Sequence, residues 1–202
     1  KEKSRDDKIR LIYHTTPHRG LELLVPTFEF LQKHHDNIHL DVYSSFEAYG
    51  WPQRDEPYLE LFERIKSNPD MTYHGYQPND VVRKALQEAH IFAYPSIWQE
   101  TSCIAAIEAM SAGCAIVCPN YAALPETTSN FAYQYQWHED PQQHVNIFAN
   151  ALSSVIDQVG RNEDSTKSRL IFQRNYTNAF YNWDQRAREW EGLIRGILAN
   201  KA

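Results

Sequence analysis

Cysteine is scarce in this chain: Cys103, Cys114 and Cys118 are the only three in 202 residues. An odd count leaves no complete disulfide set, and two thiols four apart with no second pair do not build a tetrahedral metal site. A disulfide scaffold and a structural zinc centre are therefore not expected, and a reducing compartment, the cytoplasm, is. There is no apolar run long enough to span a membrane, so no transmembrane segment is expected, and the opening Lys1-Glu2-Lys3-Ser4-Arg5-Asp6-Asp7-Lys8 is too charged for a signal peptide. Basic excess is lacking as well. A net charge of -6 gives no footprint for nucleic acid and no general attraction to anionic lipid, so any phosphate recognition has to be local.

What is present suffices for one sizeable core, with 42% hydrophobic residues. Residues 1–7 are charged and without pattern and read as the remnant of a linker or hinge; residues 8–202 read as a single domain. Short apolar runs alternate with helical patterns. Strands are expected at residues 9–14, 38–43, 71–74, 91–94, 115–118 and 131–136. Helices are expected from about Gly20 to His34-His35, with Pro26 as a kink or the true start, and at residues 58–66, 81–89 (capped by Asp80), 101–112 and 142–159. An aromatic-rich loop spans residues 49–57, a polar surface loop residues 160–167, and two helices close the chain. Trp183, Trp190, Leu193, Ile194 and Ile197 recur at helical spacing in the last one and are expected in the core. This order predicts an α/β fold, a doubly wound Rossmann-like parallel sheet of about six strands flanked by helices, with further helices at the C-terminus.

The densest pattern lies at residues 94–113. An apolar strand ends at Pro95, the hydroxyls of Thr101 and Ser102 suit a helix N-cap, and Gly113 closes a helix that is followed by another strand. Such strand-helix-strand units bind ligands beyond the carboxyl ends of their strands, where Glu100 would stand. The helix is apolar nearly all round and should be largely buried, so its lone charge, Glu108, needs a hydrogen-bonding partner. Helical rise of about 1.5 Å per residue sets Glu108 roughly 12 Å from Glu100, with the free amides of residues 101 to 103 between them. A ligand with hydroxyls at both ends and phosphates in the middle would satisfy this layout; an Arg or Tyr at the helix edge would satisfy Glu108 alone. Cys103, at a helix N-terminus that lowers a thiol pKa, is a candidate nucleophile without a sequence-local His partner. Arg19, just before Gly20 in the turn after the first strand, offers a planar fork of donors for phosphate oxygens, or is an ordinary solvated arginine.

Glu100-x7-Glu108, followed by Ala109-Met110-Ser111-Ala112-Gly113 and by Leu124-Pro125-Glu126, resembles the C-terminal, donor-binding half of retaining glycosyltransferases of the GT-B fold. The resemblance runs from about Lys8 to the last helix. It implies that Glu108 accepts hydrogen bonds from ribose hydroxyls, that Arg19, Gly20 and the amides of Thr101, Ser102 and Cys103 hold a diphosphate, and that Glu100 orients the transferred sugar as the catalytic residue. It implies that the loop at Gly75 and Tyr76, with Gln77, holds the nucleobase; a plain turn leading into the next helix is the other reading. The donor would be a UDP-, GDP- or ADP-type sugar, no metal would be needed, and a glycan, lipid-linked or other acceptor would come through an N-terminal domain this chain has no room for. The sequence also departs from the family. Tyr13-His14 stands where many members carry Gly-Arg, so His14 replaces a cation; Thr101-Ser102-Cys103 replaces a frequent Gly-x-Gly; and Ala122-Ala123 replaces a Gly pair. The terminal helix can reach the other domain in whole enzymes of this fold, leaving here an exposed apolar patch. A sugar-nucleotide epimerase and a non-catalytic nucleotide-sugar-binding module are the alternatives.

Overall fold

The computed structural model describes residues 8–200; the linker expected at residues 1–7 lies outside them. Six strands form one all-parallel sheet in the order β3-β2-β1-β4-β5-β6, comprising β1 (Ile9–Tyr13), β2 (Ile38–Val42), β3 (Met71–Tyr73), β4 (Ile91–Ala93), β5 (Ala115–Pro119) and β6 (Tyr133–Tyr135). This is the doubly wound order expected. The chain reverses direction across the sheet between β1 and β4, which pair Leu11 with Ile91 and Ile12 with Phe92, and that reversal opens a crevice at the strands' carboxyl ends.

The residue pattern explains the layering. β4 and β5 are buried along their whole length and β1 nearly so, as strands covered on both faces must be. In β2 only Ile38, Leu40 and Val42 are buried, while His39 and Asp41 face a side without full cover. Helix α1 (Leu21–Leu31) packs on α6 (Pro141–Arg161), which also lies against β1, β5 and β6. Because crossovers are right-handed, α3 (Asn79–Glu88) and α4 (Ile104–Ser111) take the opposite face, where α7 (Asp164–Phe180) packs on α4. Gln173 of α7 is wholly buried there and donates through Nε2 to the carbonyls of Met110 (3.4 Å) and Cys114 (2.8 Å), satisfying acceptors at the end of α4.

Several boundaries differ from expectation. Helix α1 stops at Leu31 and contains Pro26, and His34 and His35 lie beyond it. Their partners are local or across the helix layer, the Phe30 carbonyl at 3.1 Å and Ser153 Oγ at 2.9 Å. The loop before α2 (Leu59–Ser67) is wound into two short 3-10 turns, Phe46–Tyr49 and Pro52–Tyr58. Asp80 sits inside the first turn of α3 and makes no cap bond, since Pro78 occupies the cap position. The polar stretch after α6 is no long loop: Asn162 takes a left-handed φ of 56° to end the helix, and α7 begins at Asp164. The loop after β5 holds a single helical turn, α5 (Leu124–Thr127).

The largest correction concerns the last helix, α8 (Trp183–Ala199), none of whose residues is buried. Trp183 is 86% exposed and Trp190 63%, and Leu193, Ile194 and Ile197 are exposed as well. Helical spacing marks a face that needs cover; it does not say that this domain provides the cover.

Candidate functional site

The loops after β1 and β4 are held together by one close approach. Gly20 has φ +129°, and a Cβ on it would lie 2.2 Å from the Pro95 carbonyl oxygen. No other residue fits there, and the approach lets the Ile97 amide donate to the Arg19 carbonyl at 3.3 Å. Arg19 and Glu100, 81 residues apart, meet as a result: guanidinium Nη1 is hydrogen-bonded and ion-paired to Glu100 Oε1. The same oxygen accepts from the Tyr94 hydroxyl at 2.5 Å. Arg19 Nε donates to Thr16 Oγ1 at 3.2 Å, and Nη2 takes no protein hydrogen bond among the described residues.

Burial governs the electrostatics of this cluster. It acts against the charge on Arg19, and the Glu100 carboxylate more than offsets it, so the guanidinium's pKa is raised. Tyr94 is fully buried, and desolvation raises its phenol, reinforced by Cys103, Tyr13 and Glu100. Cys103 is pushed up to about 12, chiefly by burial and next by Glu100, against the opposing amides of Ala106 and Ala105. A thiol in that state is protonated near neutral pH, which removes the basis for Cys103 as a nucleophile: burial outweighs the helix terminus.

Helix α4 begins later than expected. Cys103, extended and buried, is its cap residue and makes no side-chain cap bond, while Thr101 and Ser102 are exposed ahead of it. The Cys103 carbonyl accepts the first helical bond, from Ile107 at 3.1 Å, so the first-turn amides of α4 are those of residues 104 to 106, and the amides of residues 101 to 103, just ahead of them, donate no hydrogen bond among the described residues. Nor is α4 largely buried, since Ile104 is 66% exposed and only Ala106, Ala109 and Met110 are enclosed. Thr101, Ser102 and Glu108 line an open cleft of about 1720 Å³ between α3, α4, α7 and α8, walled also by Arg83, Lys84, Trp183 and Trp190; His14, Arg19, Gly20, Glu100 and Cys103 do not line it.

The Glu108 side chain makes no hydrogen bond among the described residues, so no Arg or Tyr at the helix edge satisfies it. Its side chain is 36% exposed, and the nearest cationic type is His14, with Nε2 at 3.9 Å. Desolvation raises the pKa of Glu108, with Arg83 pulling it back. His14 is enclosed beside Phe92, ring centroids 4.8 Å apart, and both its ring nitrogens are buried without a hydrogen bond. Burial lowers its pKa to about 4, against an opposing contact with the Ala105 backbone, so at neutral pH it is an uncharged imidazole and does not supply the cation it replaces.

Gly75 and Tyr76 follow the end of edge strand β3 and, like Arg19 and Glu100, lie outside the lining of the cleft. Gly75 takes φ +64°, and Tyr76 is exposed; the neighbouring His74 stacks on Tyr43 at 4.1 Å and contacts Asp41 at 2.8 Å. The residue pattern missed Tyr94, Arg83 and the aromatic shelf of His18 and Trp98, whose rings lie 4.7 Å apart beside Arg19. Nothing local distinguishes Tyr94 from any aromatic ending a strand, or Arg83 from Lys84 next to it. Among the described residues no group of His, Cys, Asp and Glu could hold a metal, and no helix is long and apolar enough to cross a membrane.

Comparison with known proteins bears on this site. The O-antigen chain mannosyltransferase B of Escherichia coli is 30% identical over 112 residues, 55% of this chain and 28% of that protein. The sucrose-phosphate synthase of Thermosynechococcus elongatus superposes with a TM-score of 0.74 at 19% identity, covering 96% of this chain and 46% of that one. The pneumococcal O-GlcNAc transferase GtfA, solved in complex with UDP and GlcNAc, superposes with a TM-score of 0.69 at 13% identity, covering 97% and 37%. The chain thus spans less than half the length of each. The family model described as glycosyl transferases group 1 matches residues 1–169, from before β1 through both acidic residues of the motif and into α7. With that match reaching over the whole sheet, the chain belongs to the group 1 glycosyl transferases.

Proposed function

We propose that this chain is the donor-binding half of a retaining glycosyltransferase, which holds a nucleoside-diphosphate sugar for transfer to an acceptor. The observation that carries the reading is the sequence of groups at the reversal point of the sheet. Glu100 and Arg19 stand at one end, the amides of residues 101 to 104, which donate no hydrogen bond among the described residues, follow, and Glu108 is without a hydrogen bond and half-open beyond them. In this reading Glu108 accepts from the ribose hydroxyls. The Nη2 amine of Arg19 and those amides take the diphosphate, acting on the charge that develops as the sugar leaves, with no metal assigned a part. Glu100 orients the sugar. The acceptor, a glycan or lipid-linked glycan, is supplied by the other half of a longer enzyme, in a cytoplasmic setting where all three cysteines stay free. Mannose is the first sugar to try, because the E. coli relative is a mannosyltransferase.

The test is thermal unfolding with UDP, GDP and ADP on the wild type, Glu108→Ala and Arg19→Ala. A ligand at ~100 times its dissociation constant adds about 2.7 kcal/mol. One nucleotide is expected to raise the midpoint of the wild type and of neither variant. No shift with any nucleotide, or a shift that survives both substitutions, removes the site assignment.

A further inference from the structure

We infer that Tyr94 is a positioning residue for the donor sugar: its hydroxyl and Arg19 together hold one oxygen of Glu100, so that the other is presented to the sugar. The inference rests on the donor-binding reading above and goes beyond it, because neither the motif nor the family match assigns Tyr94 a part. The geometry is asymmetric. Glu100 Oε1 takes both Arg19 Nη1 and the Tyr94 hydroxyl, while Oε2 takes no protein hydrogen bond among the described residues and is not an enclosed orphan. Carboxylates facing guanidinium groups commonly pair fork to fork, using both oxygens. Here Tyr94 occupies a lone pair of Oε1 from the side, which turns the carboxylate so that only one oxygen engages Arg19. That leaves Oε2 to accept from a sugar hydroxyl and Nη2 to donate to a phosphate oxygen.

The surroundings hold the device rigid. The Tyr94 ring is fully buried, stacked on Phe92 at 5.1 Å and tilted against Tyr13 at 6.1 Å, and burial keeps its phenol a donor. The backbone of Glu100 is pinned as well, since its carbonyl accepts from the Ala123 amide at 3.1 Å and its amide donates to the Trp98 carbonyl at 3.0 Å. Without the Tyr94 hydroxyl, Glu100 is free to rotate into a two-oxygen pair with Arg19. Oε2 is then withdrawn from the sugar.

The experiment is calorimetric titration of the 202-residue chain with a nucleoside diphosphate and with its sugar ester, GDP and GDP-mannose, UDP and UDP-glucose, or ADP and ADP-glucose. The pair is chosen by the nucleotide that shifts unfolding. The readout is the ratio of the two dissociation constants within each variant, which a general loss of folding does not move. The wild type is expected to bind the sugar ester about tenfold more tightly than the diphosphate, a difference of about 1.4 kcal/mol. Tyr94→Phe, which keeps the ring, is expected to bring the ratio close to one while weakening the diphosphate itself by no more than about threefold. Glu100→Gln serves as the second variant and is expected to lose the ratio too. A Tyr94→Phe ratio equal to that of the wild type overturns the proposal while leaving the donor site standing, as does a wild-type ratio of one. A wild type that binds neither ligand removes the donor-binding reading itself, and the proposal with it.

Discussion

The two acidic residues of the motif sit in opposite states. Glu100 is almost wholly enclosed and already paired with Arg19 and Tyr94, on a backbone pinned from both sides. Glu108, eight residues along, is half-open, without a hydrogen bond, and sits above a neutral histidine that has none either. One end is assembled within the fold; the other leaves the Glu108 carboxylate without a hydrogen bond among the described residues. The first arrangement stabilises the fold, and the second destabilises it in exchange for an acceptor aimed at the cleft.

The sharpest way to break the closed end is Gly20→Ala. The new Cβ would fall 2.2 Å from the Pro95 carbonyl at a φ that L residues rarely adopt. A loss of about 4 kcal/mol or more is expected, read as the shift in urea midpoint, together with loss of any nucleotide response. A variant as stable as the wild type would mean the two loops are not held by this contact. Glu100→Ala comes next. It strands a largely buried guanidinium, and breaking such a pair from one side costs about 3 kcal/mol, again measured by denaturant unfolding. The expectation fails if Glu100→Ala costs no more than the exposed pair Lys8–Asp70 does on removal of its carboxylate.

The histidine beneath the open end gives a pH signature of similar size. Folded His14 has a pKa of about 4 against 6.5 for the free side chain. Between those values the unfolded chain holds the proton and the folded chain does not. Stability is therefore fully present above pH 6.5 and is lost as the pH falls toward 4, by about 3 kcal/mol from this group. His14→Gln is expected to flatten the profile in that window by this amount, measured by unfolding at stepped pH. His18, His39 and His144, also lowered by burial, continue to contribute with the same sign.

The fold was legible because its signals are local. β1, β4 and β5 are short runs that are apolar on both faces, as a covered parallel sheet requires, and β2 alternates apolar and polar residues. The two motif carboxylates and Arg19 were legible by spacing and by residue type. Their pairing was not, since Arg19 meets Glu100 across 81 residues and only the turn at Gly20 brings them together. The helix start was misread because Thr101 and Ser102 are good capping residues, yet Cys103 is the one whose backbone turns in. In α8 an apolar face reads the same whether its own domain or another surface covers it.

A smaller effect at the closed end concerns Ala122, on the loop that fastens Glu100 through the Ala123 amide. It sits at φ 50°, a left-handed conformation that costs a residue with a Cβ about 1 kcal/mol. Ala122→Gly removes that cost and adds unfolded-state entropy, so a net gain of no more than about 1 kcal/mol is expected. A loss of stability on this change would show that the loop is not strained.

The smallest effect tests the open end most directly. Because burial raises the pKa of Glu108, the folded chain holds its proton more tightly than the unfolded one. Its contribution to stability is therefore lost as the pH rises from the free value of 4.5 through the raised folded value, and at pH 7 the charge is a liability. Glu108→Gln keeps the shape and removes the charge. It is expected to raise the unfolding free energy at pH 7 by less than about 1 kcal/mol, because the side chain is 36% exposed and solvent screens it. The advantage should vanish below pH 4.5, where the wild-type carboxyl is protonated in both states. The same variant is expected to lose the nucleotide shift, since the amide offers ribose hydroxyls one neutral acceptor in place of two charged ones. Stability and binding would then move in opposite directions at one atom pair, which is what a group held ready for a ligand requires; if Glu108→Gln destabilises the chain instead, Glu108 is satisfied within the fold and the open end is not a site.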